Sequence, residues 1–268
     1  KHVLTLLIDF EKISGLRVNK NKTQACGLGR FKTCNDLIHG IQVRPDPIKV
    51  LGIWLSEDKR ILKNRNLTEK LGRIKKTLNA WHTRGLTVYG NSLILKSLGI
   101  SQLVYQLMTL YADEKYLKQI DTFATEFIWN GPNRAKVKRS VMIQDYDKGG
   151  IKAPCIFAME ESLKLGWANR MNDESKTKWC GILDMKLKRF GGLKYLLKCN
   201  FDDKEVCNAA KLNDFYRKIF TVYAKIADPC KTPDPDATKE RGQLINNNRH
   251  IKIGKKMLLY CGTDGEKS

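Results

Sequence analysis

Asn66-Leu-Thr-Glu-Lys-Leu-Gly-Arg-Ile-Lys-Lys-Thr-Leu-Asn-Ala-Trp81 carries its apolar residues at Leu67, Leu71, Ile74, Leu78 and Trp81, in steps of four, three, four and three. Residues three and four apart share a helix face, so this spacing predicts an α-helix with one narrow apolar stripe. Arg73 and Lys76 point away from the stripe, with Lys70 and Lys75 on its flanks. Further along, Gly85 and Gly90 are expected to bracket a turn, and Ser92–Leu110 reads as one or two apolar helices around Gly99. Another helix carries Leu117, Ile120, Ala124, Phe127 and Ile128 on one face and stops at Asn130-Gly131-Pro132. Residues 57–130 are therefore expected to form a helical bundle.

Upstream, Val3, Leu6, Leu7, Phe10 and Ile13 follow helical spacing up to Gly15, and Leu16–Val18 is expected as a short strand. Ile48–Leu55 reads as a strand pair or one bulged strand, with Gly52 marking the irregularity and Pro45 and Pro47 opposing helix before it. Downstream lie a basic run, Arg134-Ala-Lys-Val-Lys-Arg139, then Gly149-Gly150, then a helix with Met159, Leu163, Trp167 and Met171 in line. Leu212, Phe215, Ile219, Phe220 and Tyr223 mark one more helix before a linker containing Pro229, Pro233 and Pro235. The fold class expected is α+β, mainly α. Its parts are a short β-containing segment 1–56, a helical bundle 57–130, a basic and mostly helical region 131–228, and a weakly patterned tail 229–268.

The 268 residues hold 49 Lys and Arg against 28 Asp and Glu, a net charge of +21, and 42% are apolar. That apolar share supports a packed core. The charge favours polyanionic partners, nucleic acid before an anionic membrane surface. No run approaches the roughly 18–20 apolar residues of a bilayer span, and Asp9, Glu11 and Lys12 break the layout of a secretory signal. An intracellular, reducing setting is expected, with the eight cysteines as thiols and the sequons at Asn21 and Asn66 unglycosylated. Lys1 opens the sequence without Met and inside a helical pattern, which reads as the continuation of a longer protein. Cys26, Cys34, Cys199 and Cys207 lack the close Cys or His neighbours that complete a tetrahedral zinc site, so no metal is expected in this chain.

Several segments, in this order, resemble one family. Ser14-Gly-Leu-Arg-Val-Asn-Lys-Asn-Lys-Thr23 resembles the S-G-L-x-[IV]-N-x-x-K-[ST] signature of motif D in LINE-type non-LTR retrotransposon reverse transcriptases. Lys49-Val-Leu-Gly-Ile-Trp-Leu-Ser56 is similar to the strand of motif E, the primer grip. The segments around Trp81, Gly85–Gly90 and Phe127–Trp129 resemble the thumb, and Gly149-Gly-Ile-Lys-Ala-Pro154 the turn that follows it. Asn246–Ile253 resembles a segment further along the same polyprotein.

The resemblance implies the end of a palm (1–56), a thumb (57–130) and a post-thumb region, gripping an RNA template and a DNA primer. The parent enzyme would use Mg²⁺ on paired palm aspartates in an [FY]-x-D-D hairpin, within an N-terminal palm and fingers that would partner this chain. That hairpin does not occur in the sequence, so the chain alone is expected to be catalytically inactive. Tyr111-Ala-Asp-Glu114 reads almost like it, but lies about ninety residues after the motif D match and between two helical patterns, where Asp113 fits an N-cap. Phe201-Asp202-Asp203 is followed by Lys204-Glu205 where a strand would be required, and fits an N-cap or acidic turn. By resemblance, Lys22 would lie beside the incoming triphosphate as general acid for pyrophosphate in the parent enzyme. From the residues alone it is one of a solvated basic set with Arg17 and Lys20. Leu51 and Gly52 would carry the primer grip, and otherwise mark an ordinary strand kink. The candidate backbone contacts are Arg73, Lys75 and Lys76 on the first thumb helix and Arg134, Lys136, Lys138 and Arg139 beyond the last. Trp81, Tyr89 and Trp129 are candidates for base stacking, with core packing the preferred role for the two tryptophans. A non-catalytic basic RNA-binding protein, or an inactive retrotransposon remnant, fits the same residues. An RNA binder would appear in nucleus and cytoplasm as a ribonucleoprotein.

Overall fold

Asp58 starts the longest helical run of the N-terminal part, its carboxylate accepting the Arg60 N–H at 2.7 Å. The run comprises α2 (Lys59–Lys63), a π-helical turn (Asn64–Thr68) and α3 (Glu69–His82), with helical backbone at each junction. The computed structural model describes residues 2–19, 22–27, 29, 37–38, 41–44, 47–132, 135–172, 179–198, 201, 203–226, 252–253 and 256–257. It is α+β and mainly α. Two compact units, residues 1–80 and 81–268, make up the chain, and their division falls within the segment 57–130.

In the first unit, α1 (His2–Ser14) ends where predicted. Gly15 takes a left-handed φ of 71° and its N–H returns to the Glu11 carbonyl at 2.9 Å, the glycine stop of a helix. The strand expected at Leu16–Val18 does not form. Asn19 instead draws the chain into a turn, its carbonyl accepting from Lys22 and Thr23 N–H. β1 (Ala25–Cys26) pairs parallel with β3 (Ile41–Arg44), and β2 (Leu37–Ile38) pairs antiparallel with the other edge of β3. Of the two readings of Ile48–Leu55, the strand pair forms. β4 (Ile48–Val50) and β5 (Ile53–Leu55) are antiparallel, with Ile48 opposite Leu55, Lys49 opposite Trp54 and Val50 opposite Ile53. Leu51 and Gly52 turn the hairpin at φ 47° and 87°, the positive pair of a type I′ turn. Leu67, Leu71, Ile74 and Leu78 are buried, as their spacing predicts.

In the second unit, α4 (Val88–Ile94), a π-helical stretch (Leu95–Ile100) and α5 (Ser101–Thr109) form one run, so Gly99 lies inside it. Gly90 does not close a preceding turn. It is in the first turn of α4, because the Thr87 hydroxyl accepts its N–H and caps the helix. α6 (Glu114–Ile128) buries Tyr116, Leu117, Ile120, Phe123, Ala124, Phe127 and Ile128. After it come α7 (Arg139–Ile143), a 3-10 turn (Tyr146–Lys148), α8 (Ile156–Asn172), α9 (Cys180–Leu187), α10 (Leu193–Lys198), α11 (Asp203–Ala209) and α12 (Asp214–Ile226). One apolar cluster joins α8 to α12, with Leu187, Leu196, Ile219 and Phe220 at its centre. Two short strands, β6 (Lys252–Ile253) and β7 (Lys256–Met257), pair antiparallel.

α8 buries a different stripe from the one its methionines suggest. Ile156, Glu160, Lys164, Ala168 and Met171 are buried, whereas Met159 and Leu163 are only partly so. Lys164, with no exposed surface, donates to the Leu107 and Leu110 carbonyls (2.5 and 2.7 Å), and the Trp167 indole N–H donates to Met108 O (2.8 Å). Three otherwise unpaired carbonyls at the end of α5 are thereby satisfied from α8, with a cation at the negative end of the helix.

Candidate nucleic-acid interface

Lys22 is exposed, and its N–H donates to the Asn19 carbonyl (3.1 Å) and side-chain oxygen (3.2 Å) in the turn after α1. Leu51 is at the hairpin tip with 86% of its surface exposed, an apolar residue held in left-handed backbone at the cost of strain. Gly52 beside it is exposed too. Below the tip, the Lys49 ammonium and the Arg65 guanidinium stand 5.6 and 5.5 Å from the centre of the Trp54 ring.

Arg73, Lys75 and Lys76 are all exposed on α3, while Leu71, Ile74 and Leu78 line its buried side. Arg73 has one loose tie, 3.7 Å to Glu69 a turn earlier, across solvent. In the second unit Lys136 and Lys138 are exposed ahead of α7. Arg134 lies outside the described residues. Arg139 is turned inward. Its guanidinium grips Asp121 from α6 through Nε (3.1 and 3.2 Å) and Nη2 (2.7 Å), and Nη2 also donates to Pro154 O (2.6 Å). A planar fork engaged on both sides is a brace, and little of it remains for a phosphate.

The aromatic candidates divide in the same way. Trp129 is half-buried and donates to the Met142 sulfur (3.4 Å), and Trp81 is half-buried under the Arg84 guanidinium, 4.1 Å from its ring centre. Tyr89 stands out on the first turn of α4, more than half exposed. Its neighbour is Tyr146, 5.9 Å between ring centres, a residue the sequence reading passed over. An aromatic in the otherwise polar run Asp145-Tyr-Asp-Lys-Gly-Gly150 was the available signal.

No protein-family model matches the chain. Among the described residues no three His, Cys, Asp or Glu side chains converge on a possible ion. Asp113 caps α6 through the Tyr116 N–H (2.8 Å), and Asp203 is in the first turn of α11, accepting the Thr221 hydroxyl. Both therefore serve as helix-end residues, and Asp202 lies outside the described residues. Cys26, Cys155, Cys180 and Cys207 are not joined in disulfides. Among the described residues no helix is long and apolar enough to cross a membrane.

The sequence reading also missed the buried polar groups. Glu160, fully buried, has the Lys218 ammonium 3.3 Å from one carboxylate oxygen without hydrogen-bond alignment. Burial raises the Glu160 pKa and lowers that of Lys164 to about 8. α8 mixes polar and apolar residues around its whole circumference, so periodicity alone could not pick the face on which these two residues sit.

Proposed function

We propose that this chain is the palm end and thumb of a LINE-type non-LTR retrotransposon reverse transcriptase, holding an RNA template and DNA primer by their sugar-phosphate backbones. Supporting that reading is the exposed cationic face of α3 carrying Arg73 and Lys76, opposite an apolar buried side, with Lys75 exposed on the flank. Cations presented on a rigid helix contact phosphates without reading sequence, as a thumb requires. Lys136 and Lys138 add exposed charge in the second unit, and the order of the motif resemblances supplies the family. The strained, exposed Leu51 at the hairpin tip fits a grip on a primer strand. Arg139 is left out of the interface because Asp121 and Pro154 already hold it. Phosphoryl transfer belongs to aspartates outside this sequence, and the assembly would work inside the cell as a ribonucleoprotein.

The test is binding of the full chain to an RNA–DNA hybrid across a salt series. Arg73→Ala with Lys76→Ala is expected to weaken binding and to flatten the dependence of log K on log salt by about 1.4–1.8, two contacts at about 0.7–0.9 each. An unchanged slope would remove α3 from the interface. With Mg²⁺ and nucleotides the chain is expected not to extend the primer, and extension would overturn the assignment.

A further inference from the structure

Tyr89 and Tyr146 form an exposed aromatic pair from two separate segments of the second unit, 59% and 57% exposed, with ring centres 5.9 Å apart and planes inclined at 52°. The Lys152 ammonium lies 5.2 Å from the Tyr146 ring centre. Buried tyrosine pairs stabilise a core, but this pair leaves most of its apolar surface in water, which a fold gains nothing by doing.

The backbone beneath it is rigid. Tyr89 is on the first turn of a helix capped by Thr87. Tyr146 begins the 3-10 turn closed by Gly149 at φ 75°, whose N–H returns to the Tyr146 carbonyl (3.1 Å). At Gly150 any side chain would overlap the Gln144 carbonyl, so the chain crosses itself here only because a glycine is present. Lys152 follows in left-handed backbone at φ 50°, its N–H on Gln144 O (3.0 Å). The backbone positions of two aromatics and a cation are thus set by caps and tight turns, which lowers the backbone ordering needed on binding.

The electrostatics also point to an anion. Lys96, on the π-helical stretch, has its pKa lowered first by burial and second by the like charge of Lys152. Two ammonium groups that repel each other are relieved by a phosphate. Asp145 offsets part of this, pairing with Lys152 at 3.1 Å in an exposed contact of small energy.

We propose that Tyr89, Tyr146 and Lys152 form a platform for an unpaired nucleotide of single-stranded nucleic acid, the base stacking on the tyrosines and a flanking phosphate meeting Lys152. Bases in a duplex interior are already stacked on both faces, so the platform discriminates single strand from duplex. The inference rests on the nucleic-acid reading above and names a second site for it, with a different requirement on the ligand.

The experiment uses the full chain, a single-stranded RNA dodecamer with a central 2-aminopurine, and a blunt RNA–DNA hybrid of the same sequence. Wild type is expected to bind both and to change the 2-aminopurine emission of the single strand. Tyr89→Ala with Tyr146→Ala should abolish that change and weaken single-strand binding about five- to 150-fold, the loss of one stacked base, with hybrid affinity within about twofold. The Phe pair should retain both properties, and thermal melting should match wild type since both side chains are exposed. Lys152→Ala should reduce the single-strand salt dependence by about 0.7. If hybrid and single strand bind and the Ala pair changes neither affinity nor emission, the platform is wrong and the backbone-gripping reading stands. If neither nucleic acid binds, the nucleic-acid reading itself is refuted, and a protein partner becomes the occupant to seek for the tyrosines.

Discussion

Asn66 replaces a missing β-strand, and removing it should loosen the first unit in a predictable way. In a hairpin closed by a two-residue turn, Val50–Ile53 and Ile48–Leu55 are the hydrogen-bonded pairs and Lys49–Trp54 the open one. The N–H and C=O of Trp54 therefore face away from β4. Asn66, only 4% exposed, meets both: its side-chain oxygen accepts the Trp54 N–H at 2.8 Å and its amide donates to Trp54 O at 2.7 Å. The second amide hydrogen goes to Leu62 O at 2.9 Å, inside the same helical run. Asn66→Ala strands three backbone groups. At about 1–3 kcal/mol for each buried group left unpaired, and with the half-buried Trp54 able to recruit water, the expected loss is about 2–4 kcal/mol. Asn66→Asp keeps the acceptor but turns a carboxylate oxygen on two carbonyls, so at neutral pH it should be worse than Ala. Its carboxyl pKa would be raised in the fold above the usual value of about 4. The deficit should therefore shrink as pH falls toward that value and the protonated acid regains a donor. Urea unfolding followed by tryptophan fluorescence, with amide exchange at Trp54, measures both effects. An Ala variant within about 0.5 kcal/mol of wild type, or an Asp variant more stable than Ala at pH 7, would refute the reasoning. The same bonds bear on the Asn66 sequon, since its amide nitrogen is already committed to two carbonyls.

Two other substitutions probe the second unit. With Lys164 held near a pKa of about 8 by burial against the usual 10.5, the unfolded chain binds the extra proton between those values, so stability should rise with pH across that window. Wild type should gain roughly 3 kcal/mol relative to Lys164→Met between pH 8 and 10.5, and parallel pH profiles for the two would contradict the burial of the ammonium. Arg139→Ala should cost about 2–4 kcal/mol in urea unfolding without changing the salt dependence of RNA binding, and Arg139→Lys should not restore it, because an ammonium cannot span both Asp121 oxygens and Pro154 O.

The helices were legible where one face alone is apolar. α3 and α6 bury the residues that their spacing selects, and Asp113 caps α6 as its place before the helical pattern suggests. Legibility failed where partners distant in sequence decide. Nothing in residues 156–172 announces that Lys164 and Trp167 face the end of α5, because both residues are common on a half-exposed helix and their carbonyl partners lie more than fifty residues earlier. Gly90 looked like a turn residue, since a glycine's neutrality in a first helical turn depends on the cap at Thr87. In the basic run 134–139 the sequence supplies charge and gives no sign of which side chain an aspartate on α6 has claimed.

A net charge of +21 says which partners are favoured but not which cations meet them, and the structure divides these by what already surrounds each one. Arg139 and Lys164 are withdrawn from solution, one by a carboxylate and a carbonyl, the other by two carbonyls at a helix end. Arg73, Lys76, Lys136 and Lys138 remain exposed, the first two on a helix held by its apolar side and the other two in an exposed segment before α7. The two groups should consequently exchange their effects. Substitutions in the first group should lower stability and leave the salt slope of nucleic-acid binding intact, while those in the second should lower the slope and leave stability within about 0.5 kcal/mol. Charge acting only as a diffuse attraction would erase that distinction, because every lost cation would then weaken binding alike wherever it sat. The separation of the two effects therefore tests a placed interface against a merely basic surface.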